Sequence, residues 1–439
     1  MKKLLLTLLS AVCATTLFAQ SPFVVSPSFA GSDYVQFQGV AMSQNHLYAA
    51  GEDAYSRTPA LWNASTGEVF VLVETVTTPD GAEAKTGSFM GINDNGIAVG
   101  TIEDPMTSVS KPIMADIRNI DGYSELYSEA SDQGAAAWGI TQDGSIIVGY
   151  HFSADWTTHA CIWTNNGQTR TDLPVPTAAQ MGIEIDYVSA RWISDDGSTI
   201  LGYAQSGLDG EWVAMAWRRV NGSYEPVCFS NGRYESWLEA GSTPQEGVYF
   251  TFEPVALSAD GQWASLRVIE AYDPDDWDYV PLEIAARYNF NTNTLEVLHG
   301  NDEYMFMEAY GISNNGTVVG RATTQAQEMT AFFWVPGADF FTLIDEAFPN
   351  DEYVLNQVQT AFSGINADAS YVLGYAINGA GDMTSFIVSL QGANLGIDDV
   401  HADRNVEPRI KGTYDLMGRK IDTIRHHGIY IIDGKKVIR

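Results

Sequence analysis

Four stretches of the chain set an aromatic ring among acids: Tyr55 in "EDAYSRTP", Trp156 beside Asp155 in "SADWTTHA", Trp212 beside Glu211 in "LDGEWVAM", and Trp277 among Asp275, Asp276 and Asp278 in "DPDDWDYV". An aromatic face stacks on the C–H side of a sugar ring or anchors a protein partner, and nearby polar groups fix the orientation. The candidate ligand-binding residues are therefore Tyr55, Trp156, Trp212, Trp277, Asp155, Glu211 and Asp276. The same acids open a second reading, a carbohydrate-active hydrolase or lyase, because glycosidases work with two carboxylates about 5 to 9.5 Å apart. A chain this acidic brings carboxylates together by chance, and a structural reading stands beside both, in which each ring packs against the start of its own strand. His151 and His159 flank the loop that carries Trp156 and are placed to meet across it. Two isolated histidines are more often satisfied residues than a metal site. No Ser/His/Asp elbow, phosphate loop, Cys-His motif or spaced calcium-loop ligands occur, so no catalytic residue, cofactor or metal is assigned.

The elements that must position these residues are repeated. "GVAMSQNHLYAAG" from Gly39 is followed by "GINDNGIAVG" from Gly91, "GITQDGSIIVG" from Gly139, "WISDDGSTILG" from Trp192, "ALSADGQWASL" from Ala256, "GISNNGTVVG" from Gly311 and "GINADASYVLG" from Gly364. Asp-Gly or Asn-Gly between β-prone runs is a strong hairpin signal, because these residues accept a positive φ cheaply. Each copy continues into a third apolar run that often closes on an aromatic, a turn and a fourth run, as in "PALWNASTGEVFVL" (59 to 72) and "ACIWTNNGQTRTDL" (160 to 173). The second copy has Asp116 where the aromatic would sit. Four strands per repeat at this period predict an all-β fold, a seven-bladed β-propeller of four-stranded blades, over residues 20–392.

Copy seven supplies "TSFIVSL" (384 to 390) as its third run and no evident fourth, whereas "PFVVSPS" at 22 to 28 precedes copy one. This N-terminal segment is expected to complete the last blade and close the ring, which removes two exposed sheet edges. In such a ring the loops joining strand two to three share a face with those joining strand four to the next blade. The longest connections, 74 to 89, 174 to 189, 228 to 254 and 344 to 361, all belong to that face, as do the aromatic stretches. Loops beyond about 12 to 15 residues are uncommon unless functional or disordered, so this face is the candidate working surface.

The formal net charge is −32, and the tail from His401 onward is basic, so the body is more acidic still. That surface repels phosphate backbones, and no nucleic-acid partner is expected. Lys2 and Lys3 ahead of the apolar run Leu4 to Val12, with small residues up to Ala19, read as a signal peptide over residues 1–19. Val12 is bulky where the residue before a lipidated Cys13 should be small. No later stretch approaches the ~20 apolar residues of a membrane helix. Cys161 and Cys228 sit inside strand patterns and are expected as buried thiols, a bridge between them being the alternative.

The repeat resembles the extracellular HAF-type repeats, through Gly311, Ile312, Ser313, Asn315, Gly316, Val318, Val319, Gly320, Ala331, Phe332 and Trp334, over about residues 39 to 390. Copies two, five and seven depart from it, with Ser265-Leu266 at the closing Gly and Ala369 at the turn Gly. The Asp-box of sialidase propellers is not met, since Asp196 and Asp260 adjoin Gly197 and Gly261 without an intervening residue.

After a linker at 393–412, residues 413–439 form a small C-terminal β-unit that resembles the C-terminal sorting domain of the type IX secretion system of Bacteroidota. The resemblance rests on Tyr414, Asp415, Leu416, Gly418, Arg419, Gly428, Ile429, Tyr430, Ile431, Gly434, Lys435 and Lys436. It implies passage across an outer membrane, with the secretion machinery as partner, and secretion or display at the cell surface. Docking of a basic tail on an acidic body is the plainer alternative. Together these readings give an exported propeller that binds a glycan or a surface protein through its loop-rich face.

Overall fold

The computed structural model describes residues 21–27, 36–78, 81–120, 122–177, 185–205, 212–228, 250–270, 283–298, 304–338, 340–393, 395, 413–415, 429–432 and 435–438. In it the repeated turns share one mechanism. The first turn residue, Ser43, Asn93, Thr141, Ser194, Ser258, Ser313 or Asn366, is at most 6% exposed. Its side-chain oxygen accepts the amide that starts the second strand, at 2.9–3.2 Å. The fourth residue holds the left-handed backbone: Gly96, Gly144, Gly197, Gly261 and Gly316, and also His46 (φ 55°) and Ala369 (φ 59°) in the copies that lack glycine. The buried hydroxyl or amide thus replaces the water that the turn backbone loses.

Among the described residues the strands group into seven four-stranded antiparallel meanders. Their first strands are Phe37–Met42, Thr86–Ile92, Gly134–Ile140, Tyr187–Ile193, Phe250–Leu257, Tyr304–Ile312 and Gln357–Ile365. Each first strand touches those of the blades on either side, including the last with the first, so they make the inner circle of a closed ring. The seventh meander, completed by Tyr371–Asn378 and Met383–Ser389, takes its outer strand from the N-terminal segment Phe23–Val25, with Phe23 opposite Val388. Ser385 fastens the closure: its amide donates to Ser26 Oγ at 3.0 Å, and its hydroxyl to the Phe37 carbonyl at 2.8 Å. The chain is an all-β propeller.

Every first strand carries a bulge at the same place, centred on Val40, Met90, Trp138, Arg191, Val255, Tyr310 and Ser363. The bulge drives a carbonyl at the second strand, and this explains the closing glycine of the repeat. A Cβ on Gly51, Gly100, Gly149, Gly202 or Gly320 would lie within 2.1 Å of that carbonyl oxygen. Blade five alone has a buried Leu266 in this place. The aromatics that end the third strands, Trp62, Trp163, Trp217, Tyr288 and Trp334, are at most 4% exposed and fill the gaps between blades. In blade two Asp116 instead caps a short helical turn, accepting from the Arg118 amide at 2.9 Å, and Ile117 enters the core.

The hairpin tips are tied to one another all the way round. The amide of Asn45 donates to Asp94 Oδ1, that of Asp94 to Gln142 Oε1, that of Gln142 to the Asp195 carbonyl and that of Asp195 to the Ala259 carbonyl. Asp260 donates on to Asn314 Oδ1, Asn314 to the Ala367 carbonyl, and Ala367 to Gln44 Oε1. Burial first, and then the charges of Asp94, Asp196 and Asp260, push the Asp195 carboxyl up to about 6. A carboxyl raised above its unfolded value gives stability that is lost as pH rises from about 4 through 6. Asp195→Asn should therefore stabilise the protein above pH 6 by about 1–2 kcal/mol, less than two full units because the group keeps some solvent. Urea unfolding at pH 4.5 and 7.5 checks this, and an equal effect at both would refute it.

Two of the long connections hold structure of their own. Thr75–Thr78 pairs antiparallel with Gly81–Ala84, and 344–355 contain two helical turns, Ile344–Ala347 and Glu352–Leu355. In the tail, Thr413–Asp415, Ile429–Ile432 and Lys435–Ile438 make a three-stranded antiparallel sheet. The predicted leader, and Leu416, Gly418, Arg419, Gly428 and Gly434 of the tail pattern, lie outside the described residues. Cys161 is a buried free thiol, held protonated chiefly by burial. Cys228 ends an outer strand opposite Met215. No helix among the described residues is long and apolar enough to cross a membrane.

Candidate functional site on the loop-rich face

Trp156 is 59% exposed and sits at φ 67°. Its turn, Ser153-Ala154-Asp155-Trp156, repeats the hairpin-tip arrangement with tryptophan in the glycine place. The Trp156 amide donates to the Ser153 carbonyl at 2.9 Å, and Ser153 Oγ donates to Asp155 Oδ1 at 2.6 Å. Gln327 and Gly381 hold the same left-handed place in the turns of blades six and seven. That Ser153 hydroxyl and the Thr157 amide hold the Asp155 carboxyl below the usual carboxylate range. Tryptophan here suffers twice, through an unfavourable backbone and through an apolar ring left in water.

Beneath this turn the two histidines do meet. His151 and His159 are directly opposed across the second and third strands of blade three, Ile147–Phe152 and Thr158–Thr164, with rings 5.1 Å apart and 23° from parallel. His159 Nε2 is 3.2 Å from Ser153 Oγ. His151, 5% exposed, places Nε2 3.1 Å from Asp172 Oδ1. Its Nδ1 lies 3.2 Å from Asp132 Oδ1, off the line of a hydrogen bond. Arg170 grips both Asp132 oxygens, with both side chains 5% exposed, and reaches Glu129 at 3.5 Å. Burial pushes the Asp132 carboxyl up, but the hydrogen bonds from Arg170 and the Glu129 amide outweigh it and hold it below its ordinary value.

Chemically, this is an imidazole pair backed by a buried ion pair and presented under an exposed indole. Ser153 makes the same Ser/Thr-x-Asp bond as Thr141, Ser194 and Ser258, so turn chemistry accounts for its hydroxyl. Asp172, with a side chain 54% exposed, also lines a groove of about 490 Å³ between blades three and four, together with Ile162, Pro174, Arg219 and Tyr224. Among the described residues no three His, Cys, Asp or Glu side chains are arranged to hold a metal ion.

Of the predicted residues beyond Trp156 and Asp155, Tyr55 and the backbone of Trp212 are described. Tyr55, 76% exposed, lies in the matching loop of blade one, where the left-handed residue is Arg57, so the two rings are not equivalent. Trp212 is the first residue of a strand, opposite Gln205, rather than a loop residue. Glu211, Asp276 and Trp277 fall outside the described residues. Sequence reading missed Asp132, Arg170 and Asp172. The period-two "TRTD" of the outer strand Thr169–Asp172, with a cation and an anion on one face, was the available signal.

No protein family and no curated protein matches the chain in sequence. Among solved structures it is similar to an oligogalacturonate lyase from Vibrio parahaemolyticus, at 11% identity and TM-score 0.48 over 84% of this chain and 91% of that one. It is also similar to the β-propeller domain of the Trilobed protease from Pyrococcus furiosus, at 11% identity and TM-score 0.44 over 85% and 99%. A third similarity is to the polysaccharide lyase Uly1, at 10% identity and TM-score 0.46 over 85% and 98%. At such identities the likeness concerns architecture and brings no activity with it.

Proposed function

We propose that this is an exported propeller that binds a neutral glycan on its loop-rich face, with Trp156 as the stacking platform and Asp155, His159 and Asp172 as its polar neighbours. One observation carries the reading: an exposed tryptophan held in left-handed backbone, at a place where Gly381 serves in a sister blade. Strain of this kind persists where it serves a purpose. The acidic surface favours an uncharged ligand over a polyanion. The leader-like residues 1–19 and the sorting-domain-like pattern of the tail support export and handling by a secretion machinery.

Trp156→Gly should raise stability by about 1 kcal/mol through the relaxed backbone. It should also weaken glycan binding at least tenfold, about 1.4 kcal/mol. A glycan array read beside thermal unfolding tests both signs. Unchanged binding would sink the reading, and capture of a protein instead of a glycan would reassign the partner. Product release abolished by a single carboxylate substitution would favour a hydrolase or lyase on the same face.

A further inference from the structure

The inner circle holds a second constellation, on the first and second strands of blades three and four. At the bulges of blades three and four stand Trp138 and Arg191. The Arg191 Cζ lies 3.8 Å from the Trp138 ring centroid and 4.6 Å from that of Tyr203, and its guanidinium donates to the Tyr203 hydroxyl. Tyr150, the residue of blade three that corresponds to Tyr203, lies close enough to feel the Arg191 charge; burial dominates and raises its phenol, which stays a donor.

The neighbouring blades show what is unusual here. In blades five and six the place of Tyr203 is taken by Arg267 and Arg321, and each faces a glutamate directly across the ladder, Glu253 and Glu308. Arg267 Nε is 3.0 Å from Glu253, and Arg321 Nε is 2.5 Å from Glu308. In blade four the facing residue is Ser189. Among the described residues no carboxylate lies within ion-pair distance of Arg191, in a chain with 55 acids and 23 lysines and arginines.

Two donors are also left over. Among the described residues Arg191 Nε is buried with no hydrogen-bond partner, and so is Ser189 Oγ, two residues away on the same strand, in a residue 2% exposed. An unmatched buried donor is costly, more so when charged, so Arg191 Nε, with Ser189 Oγ two residues away, calls for an acceptor, and the guanidinium charge favours an anionic one. With the Trp138 and Tyr203 rings against the guanidinium and one terminal nitrogen given to the Tyr203 hydroxyl, the Nε side of its edge is what remains, and such an edge pairs well with a planar carboxylate.

We infer that Arg191, Ser189, Trp138 and Tyr203 form an inner-circle subsite for a small carboxylate-bearing ligand, separate from the loop-face site. The full chain carrying Trp156→Gly, in which the loop-face platform is removed, should bind D-glucuronate in a calorimetric titration and should not bind D-glucose, which has a neutral group in place of the carboxylate. Arg191→Gln should weaken glucuronate at least tenfold. Ser189→Ala, which removes a buried orphan without disturbing the stack, should weaken it severalfold while leaving thermal stability equal or higher. Trp156→Gly should leave it unchanged, which separates failure here from failure of the loop-face reading. Equal binding of glucose, no binding of glucuronate at tens of millimolar, or undiminished binding by both variants overturns the inference. Sulfate bound as tightly as glucuronate overturns the carboxylate assignment.

Discussion

Replacing Arg170 by methionine should lower the unfolding free energy at neutral pH by about 3–5 kcal/mol, the usual result of stranding one partner of a buried ion pair. The stranded group is Asp132, whose side chain is 5% exposed and whose other neighbours are His151 at 3.2 Å and the Glu129 amide at 2.7 Å. The effect must depend on pH, and its sign follows from the two states of the carboxyl. In the native protein Asp132 is held below its unfolded value, so its contribution is complete above about pH 4 and fades as pH falls through the folded value. Without Arg170 the burial that pushes the carboxyl up is no longer outweighed. Its folded pKa then rises above the unfolded one, and stability is lost as pH rises. The deficit of Arg170→Met should thus be largest at pH 7.5 and shrink toward pH 4.5, as read from urea midpoints. A deficit that is the same at both pH values would mean that Arg170 acts only by filling space.

The features that repeat were legible in the sequence because each has a local cause. The Ser/Asn-x-Asp/Asn-Gly tips follow from turn chemistry, the third-strand aromatics from the gap between blades, and the missing fourth run of copy seven from the need to close an edge. The tip-to-tip belt was not legible, because its second-position residues, Gln44, Asp94, Gln142, Asp195, Ala259, Asn314 and Ala367, share no chemical type. Four supply a side-chain acceptor and three only a carbonyl, so no pattern of residues marks them. The His151 cluster was hidden for another reason. Its members come from a loop and three strands, and only the strand register brings Asp132, His151, His159, Arg170 and Asp172 together. Trp156 was singled out as an aromatic among acids, whereas its left-handed backbone was signalled by "SADW", a tip motif with tryptophan where glycine belongs. Tyr55 and Trp212 matched the composition and lacked that second feature.

The two ends of the ring are built differently. The hairpin tips interlock through backbone amides and buried first residues, which leaves them little freedom. The opposite end carries variable connections and the exposed rings Tyr55 and Trp156. A rigid end that holds an adaptable one in register is the usual basis for recognition by loops. The bulged inner strands lie between, where seven near-identical backbones present six kinds of side chain, valine appearing twice.

All of this requires the ring to be shut, and Phe23 is the residue on which closure turns. It is 7% exposed and meets Phe348 at 5.2 Å, Phe386 at 5.4 Å and Tyr353 at 5.2 Å, joining the outer strand to the helical turns and the third strand of blade seven. Phe23→Ala should destabilise the protein by about 3–5 kcal/mol, the cost of a large buried ring. Val24, its neighbour in the same strand, is 47% exposed, and Val24→Ala should change stability by no more than about 0.5 kcal/mol. The pair separates side-chain packing from strand pairing, since both variants keep the backbone ladder to Met383–Ser389. Removing residues 21–27 altogether would lose both and leave that strand as an open edge, so this variant should self-associate in gel filtration where Phe23→Ala stays monodisperse. Equal losses for Phe23→Ala and Val24→Ala, or an unassociated and stable protein without residues 21–27, would show that the blades hold their circle without the N-terminal strand.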